Sequence, residues 1–134
     1  MTPRITPLLC LGLLLISLPA TASTSPYFTE VYPNPVQYND RGEYVQLQFP
    51  TPTNLSNWSI TDGEHTVYLP PRTHTGSITI TTNRTSLPPW VTQPIIVTDV
   101  PLQFANPGET LTLHHNTNPI DTVTYTNAPE GTQY

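Results

Sequence analysis

Three observations predict an all-β fold, an antiparallel β-sandwich. Several short stretches alternate apolar and polar residues with the period of two that a half-buried strand requires. Turn-forming residues separate them roughly every 8–12 residues, the spacing expected of sandwich strands. Outside an apolar N-terminal run no stretch has helical periodicity, and 17 prolines interrupt any candidate helix. The 134 residues suit one domain. A chain of that size buries roughly two thirds of its unfolded surface and can hold together without disulfides.

The clearest strands lie between Gly42 and Leu69. Val45, Leu47 and Phe49 alternate with Gln46 and Gln48; Trp58 and Ile60 alternate with Ser59 and Thr61; Val67 and Leu69 continue after Asp62-Gly63. That dipeptide supplies the positive φ of a tight hairpin turn. Trp58 is placed to anchor two packed sheets. Upstream, Tyr27 to Tyr32 reads as a first strand with Phe28 or Val31 inward, stopped by Pro33-Asn34-Pro35. Strand two is expected over Glu43–Phe49, broken by Pro50-Thr51-Pro52. Downstream, Ser77–Thr82 points Ile78 and Ile80 one way. Ile95–Thr98 is a continuous apolar run suited to a central strand, and Pro101 to Phe104 a short edge segment. Asn106-Pro107-Gly108 reads as a type II turn. Leu111 and Leu113, then Val123 and Tyr125, provide two last inward pairs.

The N-terminus has a different character. Arg4 precedes an apolar run from Leu8 to Leu18, and Ala20-Thr21-Ala22 follows. A basic start, a short apolar run and an A-x-A triplet form a secretory signal peptide, residues 1–22, cleaved after Ala22. The alternative is an uncleaved anchor, but the run is shorter than the ~20 apolar residues of a spanning helix. Cys10 lies inside the signal, so the mature domain, 23–134, has no cysteine. The expected location is secreted or cell surface, with no membrane association after cleavage.

The chain has four Arg, no Lys and nine Asp or Glu; without Arg4 three bases face nine acids, a net charge of −6. A mildly acidic, lysine-free surface repels phosphate backbones and argues against nucleic-acid binding.

Few residues suggest chemistry. His114 and His115 are adjacent, so a strand points them to opposite faces. His65 follows the Asp62-Gly63 turn beside Glu64, a marginal zinc constellation, and His74 sits in a loop. Asp40, Glu43, Asp62, Asp99 and Asp121 are scattered singly, without a calcium loop pattern; such residues bond local turn amides. No Gly-x-Ser-x-Gly elbow and no Gly-rich phosphate loop occur. No catalytic residue, cofactor or metal is therefore expected. Asn54, Asn57 and Asn83 head Asn-x-Ser/Thr sequons, candidate glycosylation sites; Asn57 is the least suited, beside the presumed core Trp58. Tyr38, Tyr68, Trp90 and Tyr134 are candidate exposed aromatics for contacts.

Longer motifs carry a resemblance. Glu30-Val31-Tyr32-Pro33-Asn34-Pro35, Gly42-Glu43-Tyr44-Val45-Gln46-Leu47 and Asn54-Leu55-Ser56-Asn57-Trp58-Ser59-Ile60-Thr61-Asp62-Gly63 are followed by Asn106-Pro107-Gly108-Glu109-Thr110-Leu111-Thr112-Leu113, Ile120-Asp121-Thr122-Val123-Thr124-Tyr125 and Pro129-Glu130-Gly131. Together they resemble the lamin-tail domain family, in its microbial secreted form. The Leu-x-x-Trp-x-Ile-x-Asp-Gly core, from Leu55 to Gly63, is the most specific part. The resemblance implies an immunoglobulin-like β-sandwich. It is nearest to the N-terminal module of archaeal secreted phospholipase D-like proteins, whose hydrolase domain would begin where this sequence stops. A phospholipase D-type site needs a lysine, and this chain has none. The expected function is a non-catalytic, monomeric secreted or cell-surface module acting in binding, spacing or display toward a protein or glycan. The alternative is a detached N-terminal domain of a secreted phospholipase D-like hydrolase or nuclease.

Overall fold

The computed structural model describes residues 23–36, 42–101 and 103–134. The expected signal peptide with its Ala22 cleavage site, and also Tyr38 and Asp40, lie outside the described residues. Those described contain eight strands: β1 (Tyr27–Tyr32), β2 (Tyr44–Asn54), β3 (Trp58–Thr61), β4 (Thr66–Tyr68), β5 (Thr73–Thr81), β6 (Ile95–Val97), β7 (Gly108–His115) and β8 (Asn118–Thr126). The helical content among them is one 3₁₀ turn, Arg84–Ser86. The strands form two four-stranded sheets, ordered β1-β2-β5-β6 and β4-β3-β7-β8.

The alternation read from the sequence builds the core. Val45, Leu47 and Phe49 of β2 face Trp58 and Ile60 of β3 and Leu111 and Leu113 of β7, with Ile78 and Ile80 of β5 beside them. Trp58 is 5% exposed and meets Phe49 edge to face, ring centroids 5.5 Å apart. Each such side chain contributes about 1.5–3 kcal/mol by leaving water. In β1 both Phe28 and Val31 face the core. Phe28 lies opposite Leu47 and Val31 opposite Val45, so three residues of β1 span two of β2, and the bulge reverses the parity.

Several local expectations are corrected. Pro50 and Pro52 do not end β2, which runs on to Asn54. β1 stops opposite Gln48, and the register with β5 shifts between Phe49 and Thr53, so both prolines fall where ladder bonds are already interrupted. Ile95–Thr98 is an edge strand, not a central one. β6 pairs only with β5, and the pairing is parallel, so the first sheet is not wholly antiparallel. Pro101 to Phe104 forms no strand at its described positions; Phe104 is buried, and its amide donates to Glu43 Oε1 at 3.3 Å. The proline turn closes one residue earlier than expected. The Gly108 amide bonds to Ala105 O at 3.1 Å, placing Pro107 third and Gly108 fourth. Gly108 is required there for other reasons: its φ is +134°, and a Cβ would come within 2.8 Å of Tyr125 O. The β3–β4 connection is a four-residue loop, Asp62–His65, in which Gly63 alone has positive φ, +94°.

Candidate functional site

The two flanks of the sandwich differ. On the β1/β8 flank the C-terminal segment lies along the free edge of β1: Val31 N donates to Tyr134 O at 2.8 Å, and Tyr134 N to Val31 O at 2.9 Å. Asn34 Nδ2 donates to Ala128 O, and Asp121 Oδ2 accepts from Phe28 N, each at 2.7 Å. The Tyr134 ring packs on Tyr125 with centroids 5.2 Å apart. Tyr134 is therefore part of the closure rather than a free contact residue.

The β4/β6 flank is open. Leu69 N bonds to Trp58 O, and the alternation of an antiparallel ladder then turns the backbone groups of Thr66 and Tyr68 away from β3. Tyr68 is 71% exposed, with Val97 and Val100 about half exposed beside it. An apolar groove of about 230 Å³ runs between Val67, Tyr68 and Pro70 on one side and Val97 to Val100 on the other. The outer side of the Tyr68 ring borders a second depression of about 290 Å³ on the outer face of the second sheet, lined by Ser59, Thr61, Thr66, His114, Asn116 and Thr117.

That basin follows from strand register. With Trp58, Ile60, Val67, Leu111 and Leu113 inward, alternation sends their neighbours outward. Tyr68, Ser59 and His114 then form one row across β4, β3 and β7, and Thr66, Thr61, Thr112 and Thr122 form the next. Among the described residues, the side chains of Ser59, Thr66, Tyr68, His114 and Thr117 have no hydrogen-bond partner. Thr61 is committed to the hairpin: its Oγ1 donates to His65 O at 2.7 Å and accepts from Gly63 N at 3.0 Å.

Trp90, also expected to be an exposed contact residue, is 54% exposed but engaged. Its Nε1 donates to Tyr44 Oη at 3.3 Å, and its ring stands edge-on to Tyr32. Gln133 Nε2 donates to the same Tyr44 oxygen at 3.2 Å, and Tyr44 donates to Glu30 Oε1. Burial, with the Glu30 carboxylate next, pushes the Tyr44 hydroxyl up to about 12. This hub ties the 87–93 segment and the C-terminus onto the outer face of the first sheet.

The polar residues weighed for chemistry are dispersed. Asp62 closes its own turn, its Oδ1 accepting from the amides of Glu64 at 2.8 Å and His65 at 2.5 Å. Burial alone would raise its pKa, but these amides, with His65 Nδ1 at 3.2 Å, hold it below the usual carboxylate range. Glu109 is raised, first by burial and then by the charges of Asp62 and Glu64. His74 lies in β5 opposite Thr53 rather than in a loop and bonds to Ser77 O, His115 stacks on Trp58 at 4.8 Å, and His114 lies on the opposite face. Among the described residues no three His, Cys, Asp or Glu side chains converge to hold a metal ion. Of the sequon asparagines, Asn54 Oδ1 accepts from Ser56 N. Asn83 Oδ1 accepts from both Thr85 N and Thr85 Oγ1. Asn57 is exposed in a turn at φ +65°, not hidden beside Trp58.

Of the aromatic candidates among the described residues, Tyr68 is the one that faces solvent without an internal role. Of its neighbours, His114 stands out in the sequence only as half of an adjacent histidine pair, and Ser59, Thr66 and Thr117 do not stand out at all; the outward half of each alternating strand is the available signal. In comparison with known proteins, no protein-family model matches this sequence and no curated protein matches it.

Proposed function

We propose that the chain is a non-catalytic module of the cell exterior, secreted or surface-bound, that acts by binding through its open flank. We also assign its sandwich to the immunoglobulin-like, lamin-tail kind. The observation that carries the binding role is Tyr68, exposed between two depressions on the flank that the C-terminal segment leaves uncovered. An aromatic ring held on a strand loses little conformational entropy on contact and buries much area, which makes it an effective anchor. The exterior location is supported by the signal-like N-terminus. The lamin-tail reading is supported by the Leu55–Gly63 motif, whose Leu55, Trp58 and Ile60 are core residues.

The test uses the secreted product. Its N-terminus should be Ser23, and the purified domain should be retained on isolated envelope of the producing cell. Hydrolytic turnover of phosphodiester substrates by that domain, or recovery from the cytosol with an intact N-terminus, contradicts the proposal.

A further inference from the structure

We infer that the ligand of the Tyr68 face is a neutral glycan, lying on the outer face of the second sheet across β4, β3 and β7; the inference rests on the binding role proposed above. A sugar presents an apolar C–H face and a rim of hydroxyls, each able to donate and accept. The basin has the matching parts in one row. Tyr68 offers a ring exposed over 71% of its surface. His114, its neighbour one strand further on, offers a half-buried imidazole, Ser59 between them is 5% exposed at the floor, and Thr66, Asn116 and Thr117 complete the lining. Hydroxyls, amides and neutral imidazole all both donate and accept. Three strands span roughly 10 Å, room for an oligosaccharide rather than a single sugar.

Charge selects the class of glycan. The outward positions of β3, β4, β7 and β8 described above are Ser59, Thr61, Thr66, Tyr68, Thr112, His114 and Thr122, with no carboxylate, guanidinium or ammonium group. The chain as a whole is at −5, and Asp62 and Glu64 stand at the hairpin tip adjoining the Thr61–Thr66 row. A sulfated or carboxylated polymer would meet repulsion and no cation. A neutral ligand meets neither.

The test is retention of the mature domain, and of its Y68A and Y68F variants, on isolated envelope left untreated, oxidised with periodate, or digested with protease. Titrations with soluble mannan, dextran, alginate and heparin accompany it. The expected result is retention abolished by periodate and spared by protease. Y68A should weaken it about tenfold or more and Y68F about twofold or less, with no decline as salt rises. Melting curves of the three proteins should coincide, because Tyr68 is exposed. Tyr68-dependent retention that protease abolishes and periodate spares, or preference for alginate or heparin, overturns the glycan assignment and leaves the binding role standing. Retention of the wild type that Y68A does not change overturns both.

Discussion

The two flanks of this sandwich are built from similar material and treated differently. Both end in edge strands, six and nine residues long at β1 and β8 and three each at β4 and β6, and such edges are the usual site of unwanted pairing. At β1 the chain's own C-terminus supplies the missing partner, with Val31 and Tyr134 exchanging two backbone hydrogen bonds. At β4 and β6 no described backbone segment covers the edge; Arg84 Nη2 alone donates to Ile95 O of β6, at 3.3 Å, and Tyr68, Val97 and Val100 stand exposed. The lesson is that exposure alone does not mark a contact residue. Trp90 and Tyr68 are both more than half exposed, but Trp90 is tied to Tyr44 and Tyr32, whereas Tyr68 has no internal partner.

The sharpest way to break the comparison is to remove the closure. A chain ending at Thr126 loses the Val31–Tyr134 pair, the Asn34–Ala128 bond and the packing of Tyr134 on Tyr125. Urea unfolding should show a loss of about 3 kcal/mol or more. A loss below about 1 kcal/mol would mean that the segment does not seal the flank. Y44F probes the same side more finely. It leaves Trp90 Nε1 and Gln133 Nε2 without their acceptor and should cost about 1–2 kcal/mol. Unchanged stability would remove the hub from the account.

The hairpin tip gives a pH dependence. The Asp62 carboxyl is depressed on folding, so its contribution is present above the unfolded carboxylate range and lost as pH falls through its folded pKa. D62N should therefore be less stable than wild type at neutral pH, by about 0.5–1 kcal/mol, with the two curves converging in acid. Glu109 has the opposite sign: its raised folded pKa favours the protonated form, and its contribution falls as pH rises through that value. E109Q should be neutral to slightly stabilising at neutral pH. Parallel pH profiles for wild type and D62N would contradict the turn's electrostatics.

Smallest in stability are the changes on the open flank. V97S, V100S and Y68A should each change the unfolding free energy by no more than about 0.5 kcal/mol, since these side chains lie outside the core. A larger loss on Y68A would make Tyr68 a structural residue and the flank less open than described.

Much of the core was legible because alternation is a strong signal: Val45, Leu47, Phe49, Trp58, Ile60, Leu111 and Leu113 were all placed inward from spacing alone. What spacing could not convey was pairing. Ile95–Val97 is apolar enough for a central strand, yet its parallel pairing to β5 at the sheet's edge depends on how the Leu87–Pro94 segment returns across the face. Pro50 and Pro52 read as breakers because the partner strands' ends, which make them tolerable, are tertiary facts. The Tyr68 face was half legible. The ring was named as a contact candidate, but Ser59, Thr66 and His114 join it only through the register of β3 with β4 and β7.

Amide hydrogen exchange of the mature domain, free and bound to isolated envelope, addresses the open-flank claim most directly. New protection is expected at Thr66–Leu69 and along the β3–β7 rows that flank Tyr68, with the β1 edge and residues 127–134 unchanged. New protection confined to the C-terminal segment and β1 would contradict it.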